Sequence, residues 1–452
     1  MDRTKEDKNY SKMTERPIPL LILGLGLPTT LSMMTTTIYN MADTYFVGQL
    51  GKSASGAIGV IAALMSIIQA FGFMYGHGAG SLLSRRLGSH DTENASRFAS
   101  TSLFLALVTG LTITSLGLAF MNPLLYLLGS SDTILPYARE YAKYILLAAP
   151  ITMSGFVLNN ILRYEGKASL AMIGLISGGL LNIAGDWLLT RRLGMGVAGA
   201  GIATALSQCV SFLLLLSIFL LGQTQSKLKL RYISFDKIFT IMATGLPSLI
   251  RQGLASISNM VLNHMAGYYG QDAAIAAITI VNKMSFFIFA VALGIGQGFQ
   301  PVSSFNWGAK KYSRVKEAFR FTYLAGSIFL AVLAFVGLLV SPFVVSFFTD
   351  EQEVIRIGTL GLQIALIGLV FQPVSVCSNM LFQSLGINGR ASFLSALRSG
   401  IAFIPMLFLL GYFFGLTGVL CAQPAADLIS FAISAPISHF FLKKLPPDGT
   451  VM

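Results

Sequence analysis

Apolar and polar positions in this chain segregate on the scale of whole helices, with no alternation residue by residue. Long, mostly apolar runs recur from Pro17 almost to the C-terminus, separated by short stretches of Gly, Pro and charged residues. A helix needs about 20 such residues to cross a hydrocarbon core of roughly 30 Å. The runs predict twelve spans, at 17–48, 54–77, 95–120, 134–162, 168–190, 196–222, 238–266, 273–299, 317–345, 355–382, 391–412 and 416–442, numbered here helix 1 to helix 12. A membrane-spanning β-barrel would instead read as alternating segments of about 10 residues. The predicted fold class is therefore all-α and polytopic, and soluble classes are excluded.

Composition agrees. Of 452 residues only 11% are charged and 54% are hydrophobic, and the mean hydropathy is +0.70, far from the balance of soluble domains. The first sixteen residues carry Asp2, Arg3, Lys5, Glu6, Asp7 and Lys8. Their mixed charge, and the length of the apolar run that follows, do not fit a cleaved signal peptide, so 1–16 is expected to be a short solvated tail. Basic residues set the orientation, because Lys and Arg collect in cytoplasmic loops. With the N-terminus inside, 23 of the 31 basic residues fall on the cytoplasmic side and six, including Lys52, fall outside. Arg251 and Lys283 lie within helices. Both termini are expected in the cytoplasm, with 443–452 as the second tail, in a plasma or inner membrane. Spread over membrane loops, the net charge of +12 reads as positive-inside bias and contact with anionic lipid, not as nucleic-acid binding.

An internal repeat organises the chain. Pro28 and Pro247, both in GLP, are 219 residues apart, as are Gly48 and Gly267, and Gly51 and Gly270. HGAG at 77–80 falls on QGFQ at 297–300, Pro123 on Pro342, and GVAG at 196–199 on GLTG at 415–418. Each half is one six-helix unit, and an even helix number gives both halves the same orientation. That predicts two six-helix bundles related by a pseudo-two-fold axis along the membrane normal: an N-lobe at 17–222, a cytoplasmic linker at 223–237 and a C-lobe at 238–442. The cleft between such bundles suits alternating access.

Three acidic residues fall clearly within the spans: Asp43, Asp186 and Asp427. Carboxylates at membrane depth are costly and mark functional sites by default. Asp43 precedes Gly48 by five residues and Asp186 precedes Arg191 by five, which puts both roughly 7 to 8 Å below the same boundary at 1.5 Å per residue. Asn182 shares the helical face of Asp186, Thr204 on helix 6 lies in the same half of the membrane, and Tyr141 on helix 4 can join them. The repeat pairs Asn40 with Asn259 but Asp43 with Leu262, and Asp186 with Leu409. The acid pair thus belongs to the N-lobe, while the C-lobe is expected to bury the cations Arg251 and Lys283. Ionising a carboxyl group in apolar surroundings is costly, which suits it to taking a proton from one side and releasing it on the other. The plainer reading keeps Asp43 as a helix end, Asp186 as a neighbour of the interfacial anchor Trp187, and Asp427 as a structural partner of Arg398.

These residues amount to a resemblance. IGQGFQPVSSFNWGAKKYSRVKEAF (295–319), with RRLGSHDTENAS (85–96), NIAGDWLL and LGMGVAGAGIATALSQ (within 182–208), GLPSLIRQGLASISN (245–259) and FFGLTGVLCAQPAAD (413–427), resembles the multidrug and toxic-compound extrusion (MATE) family over nearly the whole chain. The DinF-like and MepA-like bacterial members are the nearest in pattern. The resemblance implies a two-lobe antiporter that exports bulky cationic or amphipathic drugs in exchange for H⁺ or Na⁺, working as a monomer. It also implies coupling through Asp43, Asn182, Asp186, Thr204 and Tyr141, with Na⁺ at the first three as the alternative to a proton. The acidic residues that the NorM-like branch uses on helices 7 and 10 are replaced here by Gln252 and Gln363. Pro28, Asn40, Arg251, Gln252 and Lys283 are further candidates for lining the cleft or bending helices.

Other chemistry finds little support. Cys209, Cys377 and Cys421 are odd in number and lie in helices, and their spacing suits no metal; His77 in YGHGAG reads as a helix-end residue. The chain carries no HExxH, GxSxG or phosphate-binding loop, so it is expected to be neither an enzyme nor an ATP-driven pump, and to need no cofactor. The competing reading is a lipid or lipid-linked oligosaccharide flippase of the same superfamily, for which Arg251 and Lys283 are few cations to hold a pyrophosphate.

Overall fold

A computed structural model describes residues 3–450. Met1, Asp2, Val451 and Met452 lie outside the described residues, as do the side chains of Arg3, Lys5 and Lys52 that entered the orientation count. Among the described residues every regular element is helical. Ten helices among the described residues are long and apolar enough to cross a membrane, and two of these are double. Ile238–Gly308 is broken at Gly270 and Gln271, and Phe403–Lys443 at Gly415. Counting their halves separately gives the twelve expected spans. Gly415 at the second break has φ 58° with ψ −136°, a conformation that a Cβ disfavours; Gln271 at the first break holds a similar one, φ 53° with ψ −153°.

Several helices run further than their apolar runs. Helix 2 spans Lys52–Gly88, helix 8 continues to Gly308, and helix 9 begins at Tyr312. The extra turns carry Ser81, Ser84, Gln300, Ser303 and Ser304, and His77 immediately precedes them in helix 2; all are at most 1% exposed. Their polarity ends an apolar run in the sequence, yet it does not end a helix that buries it against protein partners. His77 is accordingly not a helix-end residue. It lies inside helix 2, its Nδ1 2.8 Å from Ser248 Oγ and its ring stacked on Phe73. The N-terminal segment is also more than a solvated tail: Arg3–Glu15 is a helix, Met13 and Thr14 are buried, and Asn306 Nδ2 donates to the Met13 carbonyl at 3.1 Å.

By packing, the chain divides into two units, one of Met1–Tyr10 with Leu31–Leu249 and the other of Ser11–Thr30 with Ile250–Met452. Apart from the one between Tyr10 and Ser11, the divisions fall two residues after Pro28 and two after Pro247, the equivalent positions of the repeat, and not in the linker at 223–237. In the first unit the start of helix 7 packs on helix 2, where a Cβ on Gly78 would lie 2.9 Å from Gly245 N. In the second the start of helix 1 packs on helix 8, where a Cβ on Gly298 would lie 2.6 Å from Gly26 N. Gly294 and Gly298 are four apart on helix 8, the small-residue spacing that lets helix backbones touch.

The linker is fastened to the first unit. Glu165, fully buried, accepts the Gln225 and Ser226 amides at 2.9 and 2.8 Å. Ser96 Oγ accepts the Lys227 amide, Ser100 Oγ the Lys229 amide and Thr101 Oγ1 the Ser234 amide.

Candidate functional site

The site belongs to the first unit and is assembled from helices 1, 4, 5 and 6. Beyond Pro28, helix 1 carries a run of threonines whose hydroxyls bond back to the carbonyl one turn earlier: Thr35 to Leu31, Thr36 to Ser32, Thr37 to Met33 and Thr44 to Asn40, at 2.8–3.0 Å. These hydroxyls are satisfied within the helix, whereas Asp43 takes its partner from another helix.

Helix 4 supplies one. Tyr141 is 1% exposed, and its hydroxyl donates to Asp43, 3.0 Å from each carboxylate oxygen. The same hydroxyl lies 3.3 Å from Thr204 Oγ1 on helix 6. Thr204 in turn accepts from Asn182 Nδ2 on helix 5 at 3.1 Å. Since the Tyr141 proton is directed at Asp43, the Thr204 proton serves the Tyr141 oxygen, and every hydrogen bond in the chain from Asn182 points toward the Asp43 carboxylate. Such a series polarises along its length.

Close approach of the helices makes this reach possible. A Cβ on Gly201 of helix 6 would lie 3.1 Å from the Tyr141 ring and 2.9 Å from that of Tyr144, so only glycine lets helix 6 bring Thr204 to Tyr141. Gly179 of helix 5 plays the same part against Thr35 and Tyr39 of helix 1, at 2.8 and 3.1 Å.

Helix 5 changes geometry at the site. The α-helix Ala168–Gly185 passes into a π-helix over Asp186–Arg192, a form that recurs at functional positions. Asp186 is fully buried, and among the described residues neither carboxylate oxygen has a hydrogen-bond partner. The Asn182 carbonyl oxygen and the Thr190 hydroxyl are buried and equally unpartnered. Asp43 is the charged neighbour of Asp186. Buried polar atoms in this number without partners are uncommon, and together they offer oxygens to a proton or a small cation. Among the described residues no three His, Cys, Asp or Glu side chains cluster as metal ligands.

A cavity of about 260 Å³ opens against Asp43. Tyr39, Asn40, Gln69, Thr204 and Gln208 give it polar walls, and Ile61, Met65 and Phe156 apolar ones. Asp43 and Thr204 face this space; Asp186 and Asn182 stand behind them.

Five expected residues are thus together: Asp43, Tyr141, Thr204 and Asn182 in one hydrogen-bonded chain, and Asp186 beside it. Asn40 is exposed on the cavity wall. The other candidates lie elsewhere, in the second unit. Pro28 sits in an unbroken helix, Ile18–Gly48, and Gln252 is half-buried. Arg251 is half-buried and donates to Asn379 Oδ1 at 3.3 Å. Lys283, expected to be buried, is exposed: it lies on a face of helix 8 that no neighbouring helix of its unit covers. Asp427 has the partner that the plainer reading gave it, Arg398 Nε at 2.7 Å. Tyr39, Thr190 and Gln208 were missed, although each stands one turn from a predicted residue, before Asp43, after Asp186 and after Thr204 respectively.

The family model MatE matches residues 28–188 and again 247–409. The two segments begin at the repeat-equivalent prolines and hold most of the chain. The chain belongs to the MatE family. Among curated relatives it is 26% identical to the multidrug export protein MepA of Staphylococcus haemolyticus (strain JCSC1435), over 98% of each chain. Among solved structures it is similar to a MATE protein in its straight conformation, with TM-score 0.92, 26% identity and coverage of 97% of this chain and 99% of that one. It is also similar to MATE in a bent conformation, with TM-score 0.90, 26% identity and coverage of 97% and 98%. As a MatE protein the chain is a multi-pass membrane transporter with two repeats of six helices.

Proposed function

We propose that this transporter exports cationic or amphipathic drugs in exchange for H⁺, with Asp43 and Asp186 as the coupling carboxylates and both termini in the cytoplasm. The observation that carries the reading is the asymmetry between the two acids. Asp43 has a chain of donors aimed at it and so is built to hold a negative charge. Asp186 has no donor within reach, and a proton on it would create the donor that the Asn182 carbonyl lacks. The pair therefore accommodates one proton and one charge, and a cationic substrate entering the cavity beside Asp43 competes for that charge. Each conformational state needs only a differential preference for the loaded or the empty site to be driven by it.

Helix 1 is the element through which loading would act. Asp43 lies on its second half, which packs in the first unit, while its first half packs in the second unit, and Pro28 stands just before the change. Proline removes a helix hydrogen bond and permits bending there. That MATE is solved in a straight and in a bent conformation supports a transporter with more than one conformation. The similarity to the multidrug export protein MepA supports drug export.

The test is efflux of ethidium from proteoliposomes, with ΔpH and a Na⁺ gradient imposed separately on wild type and Asp186→Asn. Transport driven by ΔpH and abolished by the substitution is the expected result. Efflux driven by Na⁺ alone would make the same oxygens cation ligands. If neither gradient moves any tested cation, the flippase reading takes its place.

A further inference from the structure

A second cavity lies at the far end of helices 11 and 12, outside everything described so far. It measures about 330 Å³ and is lined by Arg390, Ile437, Phe440, Phe441, Lys444 and Leu445. We propose that it is a binding site for an anionic phospholipid, whose phosphate is held between Arg390 and Lys444 while an acyl chain lies along Phe440 and Ile437.

The cations are built into the site. The Arg390 guanidinium stands over two rings, 5.5 Å from the centre of Phe382 and 5.7 Å from that of Phe441. Phe382 is fully buried and Arg390 is exposed, so the stack holds the guanidinium against the protein and leaves it open to a ligand. Arginine held this way loses little freedom on meeting a phosphate. Lys444 follows the last residue of helix 12, and the chain beyond it is tied down: the Leu445 side chain is buried and its carbonyl accepts from Lys316 Nζ at 3.3 Å. Among the described residues neither Arg390 nor Lys444 has a carboxylate partner in an ion pair.

The other wall is apolar and exposed. Phe440 is 61% exposed at the end of a membrane-spanning helix, beside the two cations. A soluble phosphate would use the cations and leave this aromatic wall in water. A phospholipid uses both, and the boundary between apolar span and polar chain end is where its headgroup resides. Basic pockets between membrane helices recognise anionic headgroups by this combination.

Trp307 reports on the site, because its ring lies 6.4 Å from that of Phe441 and the chain has only one other tryptophan, Trp187. In a Trp187→Phe background, the protein is reconstituted with phosphatidylcholine containing a small fraction of lipid with brominated acyl chains, either phosphatidylglycerol or phosphatidylcholine. Brominated phosphatidylglycerol should quench Trp307 in clear excess over brominated phosphatidylcholine. Its apparent affinity should fall about fivefold for each cation removed, in Lys444→Gln and in Arg390→Gln, and Arg390→Lys should recover part of the loss. Equal quenching by the two lipids, or unchanged selectivity in the fully folded Lys444→Gln protein, would overturn the assignment. Displacement of the brominated lipid by millimolar inorganic phosphate would overturn it too, in favour of a soluble phosphorylated ligand.

Discussion

A Cβ placed on Gly78 would lie 2.9 Å from the backbone nitrogen of Gly245, and one placed on Gly298 would lie 2.6 Å from that of Gly26. The two contacts are the same contact twice. Gly78 corresponds to Gly298 and Gly26 to Gly245 in the repeat, so the second helix of each repeat receives the first helix of the other. The flanking contacts repeat as well: a Cβ on Gly245 would strike the Met74 carbonyl group, and one on Gly26 would lie 3.3 Å from the Gly294 carbonyl oxygen. Backbone on backbone leaves nothing that can swing aside.

Gly78→Val should therefore disfavour this arrangement while leaving the rest of each bundle intact. Overpacking of this kind costs about 1–3 kcal/mol, enough to open the contact in a large share of molecules. Thr244, 1% exposed on the facing helix, is the reporter. In a cysteine-free background, Thr244→Cys should react with a polar maleimide about tenfold faster once Gly78 is valine, and Gly298→Val should do the same for a cysteine at Ile22. Unchanged labelling would mean that the contact does not hold the helices together.

The sequence made some of this legible and hid the rest for physical reasons. Twelve spans and the repeat followed from the length of the apolar runs and the spacing of Pro28 and Pro247, because bilayer thickness constrains every span alike. Helix ends were misplaced where His77, Gln300 and Ser304 are polar but buried. The residue types of the site were legible through their depth, and Tyr39, Thr190 and Gln208 would have followed from the one-turn rule applied to Asp43, Asp186 and Thr204. The passage of helix 1 from one packing unit to the other was not legible, since it depends on which glycines meet, and the sequence lists glycines without their partners.

Tyr141→Phe keeps the ring that packs against Gly201 and removes only the hydroxyl between Asp43 and Thr204. A hydrogen bond to a charged group contributes about 1.5–3 kcal/mol, so the initial rate of ΔpH-driven efflux should fall roughly tenfold to a hundredfold with a modest drop in Tm. Thr190→Val removes a buried hydroxyl that has no partner, and its Tm should hold or rise. If Thr190 faces the coupling ion, that stable variant will transport poorly. Full transport would reduce Thr190 to a packing residue.

Asp427 and Arg398 call for the opposite result. Asp427 is 1% exposed and accepts from Arg398 Nε at 2.7 Å, from Gln372 Nε2 at 2.7 Å and from Gln423 Nε2 at 3.1 Å. Arg398→Gln leaves a buried carboxylate uncompensated, which costs about 3–5 kcal/mol, and should lower Tm sharply. The double variant Arg398→Met, Asp427→Leu removes both charges and should recover much of that loss. Thermal unfolding in detergent separates the two outcomes. A double variant as unstable as the single one would show that packing, and not the charge pair, is at stake.

The C-terminal tail should respond to acid through Asp448. Its carboxylate accepts the Ser313 amide at 2.8 Å and the Ser313 hydroxyl, and next to it the Gly449 amide donates to the Lys310 carbonyl at 2.9 Å. Partial burial pushes the carboxyl up, but the Ser313 donors, with Lys311 nearby, outweigh it and hold the group below its ordinary value. A carboxyl whose pKa is lowered in the attached state binds more protons when detached, so attachment is strongest above the free value of about 4. It is lost as pH falls through the lower, attached value. Hydrogen exchange in the peptide containing Gly449 should therefore be slow at neutral pH and lose its protection below about pH 4, after correction for the intrinsic exchange rate. Asp448→Asn should show weak protection at every pH. Protection that persists in the wild type well below pH 4, or that survives the substitution, would assign the tail's anchoring to Gly449 and to the bond from the Tyr312 hydroxyl to the Thr450 carbonyl, and not to the carboxylate.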